Sequence, residues 1–182
     1  MKIYLAGKIG KNDWRHKIVR GLREICNDQD MHNGFGLKWP IMEKAIFQEH
    51  DYVGPYFIGC NHGCFHAKNG HGIFQTRYCD TPFKYTQEWE HKNKIIELCQ
   101  KTISQCDLFF ANIEDMTAYG TLVEIGMAKA MKIPIYIYIK DYKKNKVFKD
   151  IWFGFLSGCF DYKSTNVEQA LIKAIAGGKY AR

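Results

Sequence analysis

Short apolar runs alternate along this chain with segments of helical period, and that alternation leaves few folds open. Lys2 to Ala6 is a β-compatible run that stops at Gly7. Asp13 to Cys26 predicts a helix, with Ile18, Leu22 and Ile25 at helical spacing and Asn12 or Asp13 as its cap. Gly34 to Trp39 reads as a second short strand, stopped by Pro40. Thr86 to Gln105 is a helix that sets Trp89, Ile95, Leu98, Thr102 and Ile103 near one side. Asp107 to Ala111 is a buried strand, Thr121 to Met131 a helix bounded by Pro134, and Ile135 to Ile139 a strand of β-branched and aromatic residues. Val147 to Leu156 suits a helix, Cys159-Phe160 a last short strand, and Val167 to Ala176 a closing helix before a basic tail. Strands and helices in this order predict a doubly wound parallel sheet. Ligands of such sheets sit beyond the carboxyl ends of the strands. Three loops then surround one site: Gly7 to Asp13, Ala111 to Thr121, and the segment from Lys140 onward.

A chain of 182 residues is expected to form one domain, 1–182, interrupted by an insertion at about 41–82. At this length roughly 70% of the unfolded surface can be buried. The 46% hydrophobic and 25% charged residues exclude a disordered, collagenous or coiled-coil chain. No apolar run approaches the ~20 residues of a membrane span, so no membrane partner is expected. The apolar part of Met1 to Gly7 is short for a secretion signal. The seven irregularly spaced cysteines are therefore expected as reduced thiols in a cytoplasm. A net charge of +7 points to an anionic partner such as a nucleotide or phosphate. The one dense basic cluster, Lys140 to Lys149, reads first as a solvated loop.

The loop Gly7-Lys8-Ile9-Gly10-Lys11-Asn12-Asp13-Trp14-Arg15 has glycines but neither a dinucleotide fingerprint nor a Walker pattern. It suits a turn with solvated charges, or a backbone that approaches an anion at a helix start. The stretch from Asn112 to Gly126 says more. Glu124 stands three residues after Thr121, the spacing of a capping box. It also stands where ligands bind, and a helix N-terminus keeps a carboxylate ionised, as a nucleophile requires. Gly120 and Gly126 would let a ligand and a strand come close.

Leu5-Ala-Gly-Lys-Ile9, Asp107-Leu-Phe-Phe-Ala111, and Tyr119-Gly-Thr-Leu-Val-Glu-Ile-Gly-Met-Ala-Lys-Ala130 followed by Lys132-Ile-Pro-Ile135 resemble the nucleoside 2-deoxyribosyltransferase superfamily, which includes nucleotide N-glycosidases. The most specific piece is Gly120, Glu124 and Gly126 in a G-x-x-x-E-x-G pattern, and the likeness covers roughly 1–40 and 86–161. The resemblance implies a flavodoxin/Rossmann-like fold and cleavage of an N-glycosidic bond, with Glu124 attacking C1′ of the sugar. An ionised carboxylate suits the oxocarbenium-like charge that develops there. The implied substrate is a nucleoside or nucleotide. Gly7, Lys8, Ile9 and Asp13 line its sugar or phosphate, and Asp107 and Asn112 form the pocket floor, although Asp107 equally suits a strand-start residue. No organic cofactor is implied. The family is oligomeric, with neighbouring subunits completing the site, so a homo-oligomer is expected.

Three departures qualify the likeness. The family's second catalytic aspartate, eight residues ahead of the position of Asp107, is here Cys99. Glu97 and Asn93 are nearby, but a two-residue shift on a helix turns a side chain by about 200°. Phosphate-binding members carry a serine six residues before the glutamate. Here it is Ala118, with Thr117 and Thr121 as stand-ins and Lys8 and Arg15 as further phosphate candidates. Lastly, the aperiodic insertion Ile41 to Pro82 is long for the family and concentrates Cys60, His62, Cys64, His66 and His71. These residue types suit zinc, but C-x-H-x-C-x-H is not a usual zinc spacing, and no metal is assigned. His62, His66 and His71 are instead expected over the substrate, where one could protonate the leaving base, or else as packed loop residues. Tyr52, Tyr56, Phe57 and Phe65 suit stacking on a base or the loop's own core. Alternative functions are a nucleotide-sensing module that lost turnover, and cleavage of the nicotinamide bond of NAD. Nucleic acid is not an expected partner.

Overall fold

The structure, a computed structural model, describes residues 1–9, 13–19, 46, 49–55, 85–115, 117–140, 159–161 and 163–178. In chain order the elements are β1 (Lys2–Gly7), α1 (Arg15–Ile18), β2 (Asp51–Gly54), α2 (Tyr85–Gln105), β3 (Leu108–Ile113), α3 (Tyr119–Ala130), β4 (Ile135–Ile139), β5 (Cys159–Asp161) and α4 (Val167–Gly178). The chain forms two compact units, Met1–Lys8 with Thr102–Arg182, and Ile9–Lys101.

The first unit is built on four parallel strands in the order β1-β3-β4-β5. β3 is central and every one of its six residues is buried. A strand covered on both faces has no use for alternation, which is why Leu-Phe-Phe-Ala-Asn-Ile reads as a continuous apolar run apart from one asparagine. The register pairs Tyr4 with Phe109 and Phe109 with Ile135. Alternation then puts Tyr4, Ala6, Phe109, Ala111, Ile137 and Ile139 on one face and Leu5, Phe110, Asn112, Tyr136 and Tyr138 on the other. Tyr4 stacks on Phe109 with centroids 5.2 Å apart, and Phe110 on Tyr136 at 6.0 Å.

The helices close both faces. α3 buries Thr121, Ile125 and Ala128, one stripe at helical spacing, and contacts β1, β3 and β4 on the Tyr4 face. It ends in a tight C-terminal turn: Lys132 has φ 58°, and Ile133 N–H donates to Ala128 O at 3.0 Å. The residue after a left-handed position thus satisfies an orphan carbonyl just ahead of Pro134. α4 buries Ala170, Leu171, Ala174 and Ile175. Asn166 Oδ1 receives the Gln169 N–H at 2.9 Å, and Thr165 Oγ1 donates to Gln169 Oε1 at 2.9 Å. These bonds fix the start of α4. Lys173 of α4 reaches Asp161 Oδ2 at 3.4 Å, which Tyr136 OH also reaches at 3.0 Å, so α4 lies on the face opposite α3. A four-stranded parallel sheet with helices on both sides is the doubly wound frame that the alternation predicts, and it matches the flavodoxin-like α/β fold that the resemblance implies.

In the second unit the expected helix from Asp13 to Cys26 is corrected. It closes after one turn, because Val19 is extended (φ −89°, ψ 115°) and bridges antiparallel to Ile46. A β-branched residue at 2% exposure takes strand pairing in place of another helical turn. Leu22 and Ile25 lie outside the described residues, as do the expected strand at Gly34–Trp39 and helix at Val147–Leu156. Within the insertion read as aperiodic, Asp51-Tyr-Val-Gly54 forms β2, with Tyr52 and Val53 buried. Four residues are too few to display a period. The remaining strands and long helices match expectation to within two residues at either end.

Candidate functional site

Glu124 is the sixth residue of α3. The capping box expected of it does not form. α3 begins at Tyr119, with Ala118 as its N-cap and no side-chain cap bond. Thr121 is therefore three residues inside the helix, and it is buried at 3% exposure. With the box absent, the Glu124 carboxylate turns to the sheet and accepts a hydrogen bond from Tyr4 OH, 2.5 Å from Oε1. Tyr4 is wholly buried, its ring held against Phe109, and Glu124 is half-buried. The donor comes from a rigid strand, so one carboxylate oxygen is fixed. A charge-assisted bond of this kind is shorter and stronger than a neutral one.

At the carboxyl end of β1, Gly7 pairs with Asn112 and has φ 155°, a conformation that a Cβ disfavours. Lys8 follows. Its ammonium donates to Asp115 Oδ2 at 3.0 Å and to Thr117 Oγ1 at 3.1 Å. Thr117 donates to Asp115 Oδ1 through its backbone N–H at 2.7 Å and its hydroxyl at 2.5 Å. The Thr117 hydroxyl first, and then Lys8, hold the Asp115 carboxyl down to about 2. The cluster ties the chain leaving β1 to the turn leading into α3.

Other expected site residues take different places. Asp107 sits ahead of β3, where its carboxylate accepts the Lys2 N–H at 2.8 Å and its own N–H donates to Lys2 O at 2.8 Å. Five residues of strand, about 16 Å, separate it from Asn112. It is therefore the strand-start residue and not part of a floor beneath the carboxyl edge. Asn112 is at that edge and 1% exposed, but alternation turns it to the face opposite Tyr4 and Glu124. Its Oδ1 has no hydrogen-bond partner among the described residues. Gly120 is exposed, and a Cβ built on it meets nothing within 4 Å.

In the second unit, Arg15 is fully buried. Its Nη1 donates to Asp13 Oδ2 at 2.8 Å, and its guanidinium lies 4.8 Å from the Trp14 ring. Asp13 Oδ1 also accepts the Arg15 N–H at 3.0 Å. These two expected ligand residues are engaged with each other. Ile9 is half-buried. Cys99 is buried in α2, whereas Asn93 and Glu97 are exposed. His62, His66 and His71, and with them Cys60, Cys64, Tyr56, Phe57 and Phe65, lie outside the described residues. Among the described residues no group of three His, Cys, Asp or Glu is placed to hold a metal ion.

Two participants escape the reading of the residues. Tyr4 looks like one more β-forming residue, and its only signal is a hydroxyl inside an otherwise aliphatic strand. Asp115 looks like a loop acid, and only folding brings Lys8 to it.

Parallel strands with helices on both faces define an α/β protein, and a half-buried carboxylate on α3 is held from its sheet. The chain belongs to the nucleoside 2-deoxyribosyltransferase family, whose profile matches residues 3–169. That places it among transferase- or glycosidase-type enzymes that carry out glycosyl transfer on small nucleoside substrates. No curated protein and no solved structure matches the chain. No described helix is long and apolar enough to cross a membrane.

Proposed function

We propose that this protein cleaves the N-glycosidic bond of a nucleoside or a nucleoside 5′-monophosphate through attack by Glu124. The Tyr4–Glu124 hydrogen bond carries this reading. It holds the carboxylate that is to approach C1′. In the first step the C1′–N bond breaks, its electron pair leaves on the base nitrogen, and a bond forms between a Glu124 carboxylate oxygen and C1′. The base leaves as a neutral molecule once it has taken a proton. His62, His66 or His71 is the proposed donor, because the family's aspartate is here the buried Cys99. In the second step the nitrogen of another base, or a water, attacks C1′ and gives its proton to the histidine that served as donor, and the Glu124 carboxylate departs. The protein is proposed to act as a homo-oligomer, as members of its family do.

Cys99 also favours a second reading, a nucleotide-binding module without turnover. One experiment separates the two. Wild type and Glu124→Ala are incubated with nucleosides, 5′-monophosphates and NAD, and free base is read by chromatography. Base release by wild type and not by the variant is expected, and a new nucleoside on adding a second base identifies transfer. Binding without release from any compound refutes the enzyme and supports the module.

A further inference from the structure

We propose that the outward face of α3 packs antiparallel on α3 of a second copy of this chain, about a two-fold axis. The proposal rests on the homo-oligomer reading above and names the surface that reading needs.

α3 carries only two charged residues among its twelve, Glu124 and Lys129. Its buried stripe, Thr121, Ile125 and Ala128, meets the sheet. At about 100° per residue, Tyr119, Val123, Met127 and Ala130 fall within about 80° of one another, on the side away from that stripe. Glu124 and Lys129 fall on opposite flanks. Tyr119 is 72% exposed and Val123 58%. Ala130 is exposed and Met127 half-buried. Met131, exposed in its turn, prolongs the row past the helix end. A helix lying on a sheet ordinarily turns charged residues outward, and one that is apolar on both sides is covered on both. Apolar surface rimmed by polar groups marks a protein contact.

The charges at the two ends of α3 identify what covers it. Glu114 and Asp115 lie just ahead of the helix, and Lys129 and Lys132 lie at its end. A parallel copy would set acid against acid and base against base. An antiparallel copy turns each acidic end toward the other's basic end, so the surface complements itself. Two-fold closure also leaves no copy of the face uncovered. Tyr119, Val123, Met127 and Met131 are four residues apart, a ridge that packs into the matching groove of its copy with axes about 8–10 Å apart. With the two-fold level with Ile125, Tyr119 meets Met131 of the partner subunit and Val123 meets Met127 of the partner subunit. The two Val123 side chains then lie only about 6 Å apart along the helices. The helix is about 18 Å long. It forms the apolar centre of the contact, and the charged ends form its polar rim.

The test is sedimentation of the full chain at up to about 100 µM, above the Kd of a weak interface. Wild type, Val123→Glu, Val123→Lys and an equal mixture of the two variants are compared. Wild type is expected as a dimer, or as an assembly of dimers that the variants split at this face. Each variant alone is expected to associate at least about tenfold more weakly, because like charges then meet near the axis. The mixture is expected to regain a one-to-one dimer, because a glutamate then faces a lysine. Only a contact in which position 123 approaches its own copy gives that recovery. Circular dichroism checks that the variants are folded. If they are not, Tyr119→Glu, at the most exposed position of the row, takes their place and is expected to weaken the dimer likewise. A dimer that these substitutions leave within twofold of wild type overturns this interface and leaves the homo-oligomer reading standing. Variants that dissociate but do not pair when mixed overturn the two-fold arrangement. A wild type that stays monomeric throughout overturns both the interface and the homo-oligomer.

Discussion

Replacing Tyr4 by phenylalanine removes one oxygen and leaves the rest of the site's support in place. The ring keeps its stack on Phe109 at 5.2 Å, so the fold should lose only about 1 kcal/mol, the net value of an ordinary hydrogen bond. The catalytic loss is larger, because the acceptor at 2.5 Å is a carboxylate. Hydrogen bonds to charged groups contribute about 1.5–3 kcal/mol. Water can replace part of the bond at a half-buried glutamate, so the lower figure applies, roughly a tenfold fall in rate. The two chemical steps should not share the loss equally. In the proposed mechanism the charge of Glu124 falls as it attacks C1′, and a donor on Oε1 is then worth less than before. When the glycosyl group departs the charge returns, and the donor stabilises it. Tyr4→Phe should therefore slow breakdown of the glycosyl-enzyme more than its formation. Rapid-quench measurement of free base should show a burst followed by a slow steady state. Mass spectrometry should find the sugar adduct on Glu124 accumulating. A variant whose two steps slow equally, or whose overall rate stays within twofold of wild type, refutes this role for Tyr4.

Further consequences follow from other packed groups. Asp13→Ala removes a carboxylate that bonds the fully buried Arg15 guanidinium and should cost about 3–5 kcal/mol, read as a lower denaturation midpoint. Arg15→Met with Asp13→Leu should recover much of that, since the buried charge goes with its counter-charge. Cys106 is a thiol that burial, and then the Asp107 charge, push up to about 12 from an ordinary 9.0. Between those values the unfolded chain has released a proton that the folded one keeps. Stability should thus fall as pH rises from 9 toward 12, by at most about 1.4 kcal/mol per pH unit. Cys106→Ser should flatten that limb in urea titrations run across the range. Gly120→Ala places a methyl in open space near the start of α3 and should stabilise the fold by about 0.5–1 kcal/mol. If a substrate packs against Gly120, the same change raises KM and leaves the melting temperature at or above wild type.

How much of this was legible depends on how local each cause is. β3 and β4 are runs of residues that only a buried strand accommodates, and their positions follow from those residues alone. The Asp13–Cys26 helix failed at Val19, where pairing with Ile46, distant in the chain, outweighed the local period. The capping box at Thr121 failed for a related reason. The spacing is a real signal, but α3 starts at Tyr119, which buries Thr121 and gives Glu124 to the sheet. Asp107 and Asn112 look equivalent in sequence, as polar residues bracketing one strand. Direction and alternation separate them, setting one at the amino edge and turning the other to the face of α4.

The sequence by itself determined the strand–helix alternation, hence a parallel sheet with helices on both faces, and a likeness to the family that spans residues 3–169. The alternation rests on interactions between near neighbours and on side-chain period. Only the tertiary structure decided who meets Glu124. Tyr4 is 120 residues away, and it faces α3 only because β1 pairs Tyr4 with Phe109. A slip of one residue would turn the hydroxyl to the other face. The joining of Lys8 to Asp115, 107 residues apart, has the same origin. Register between distant strands is fixed by the packing of the whole sheet, and no stretch of the chain encodes it alone.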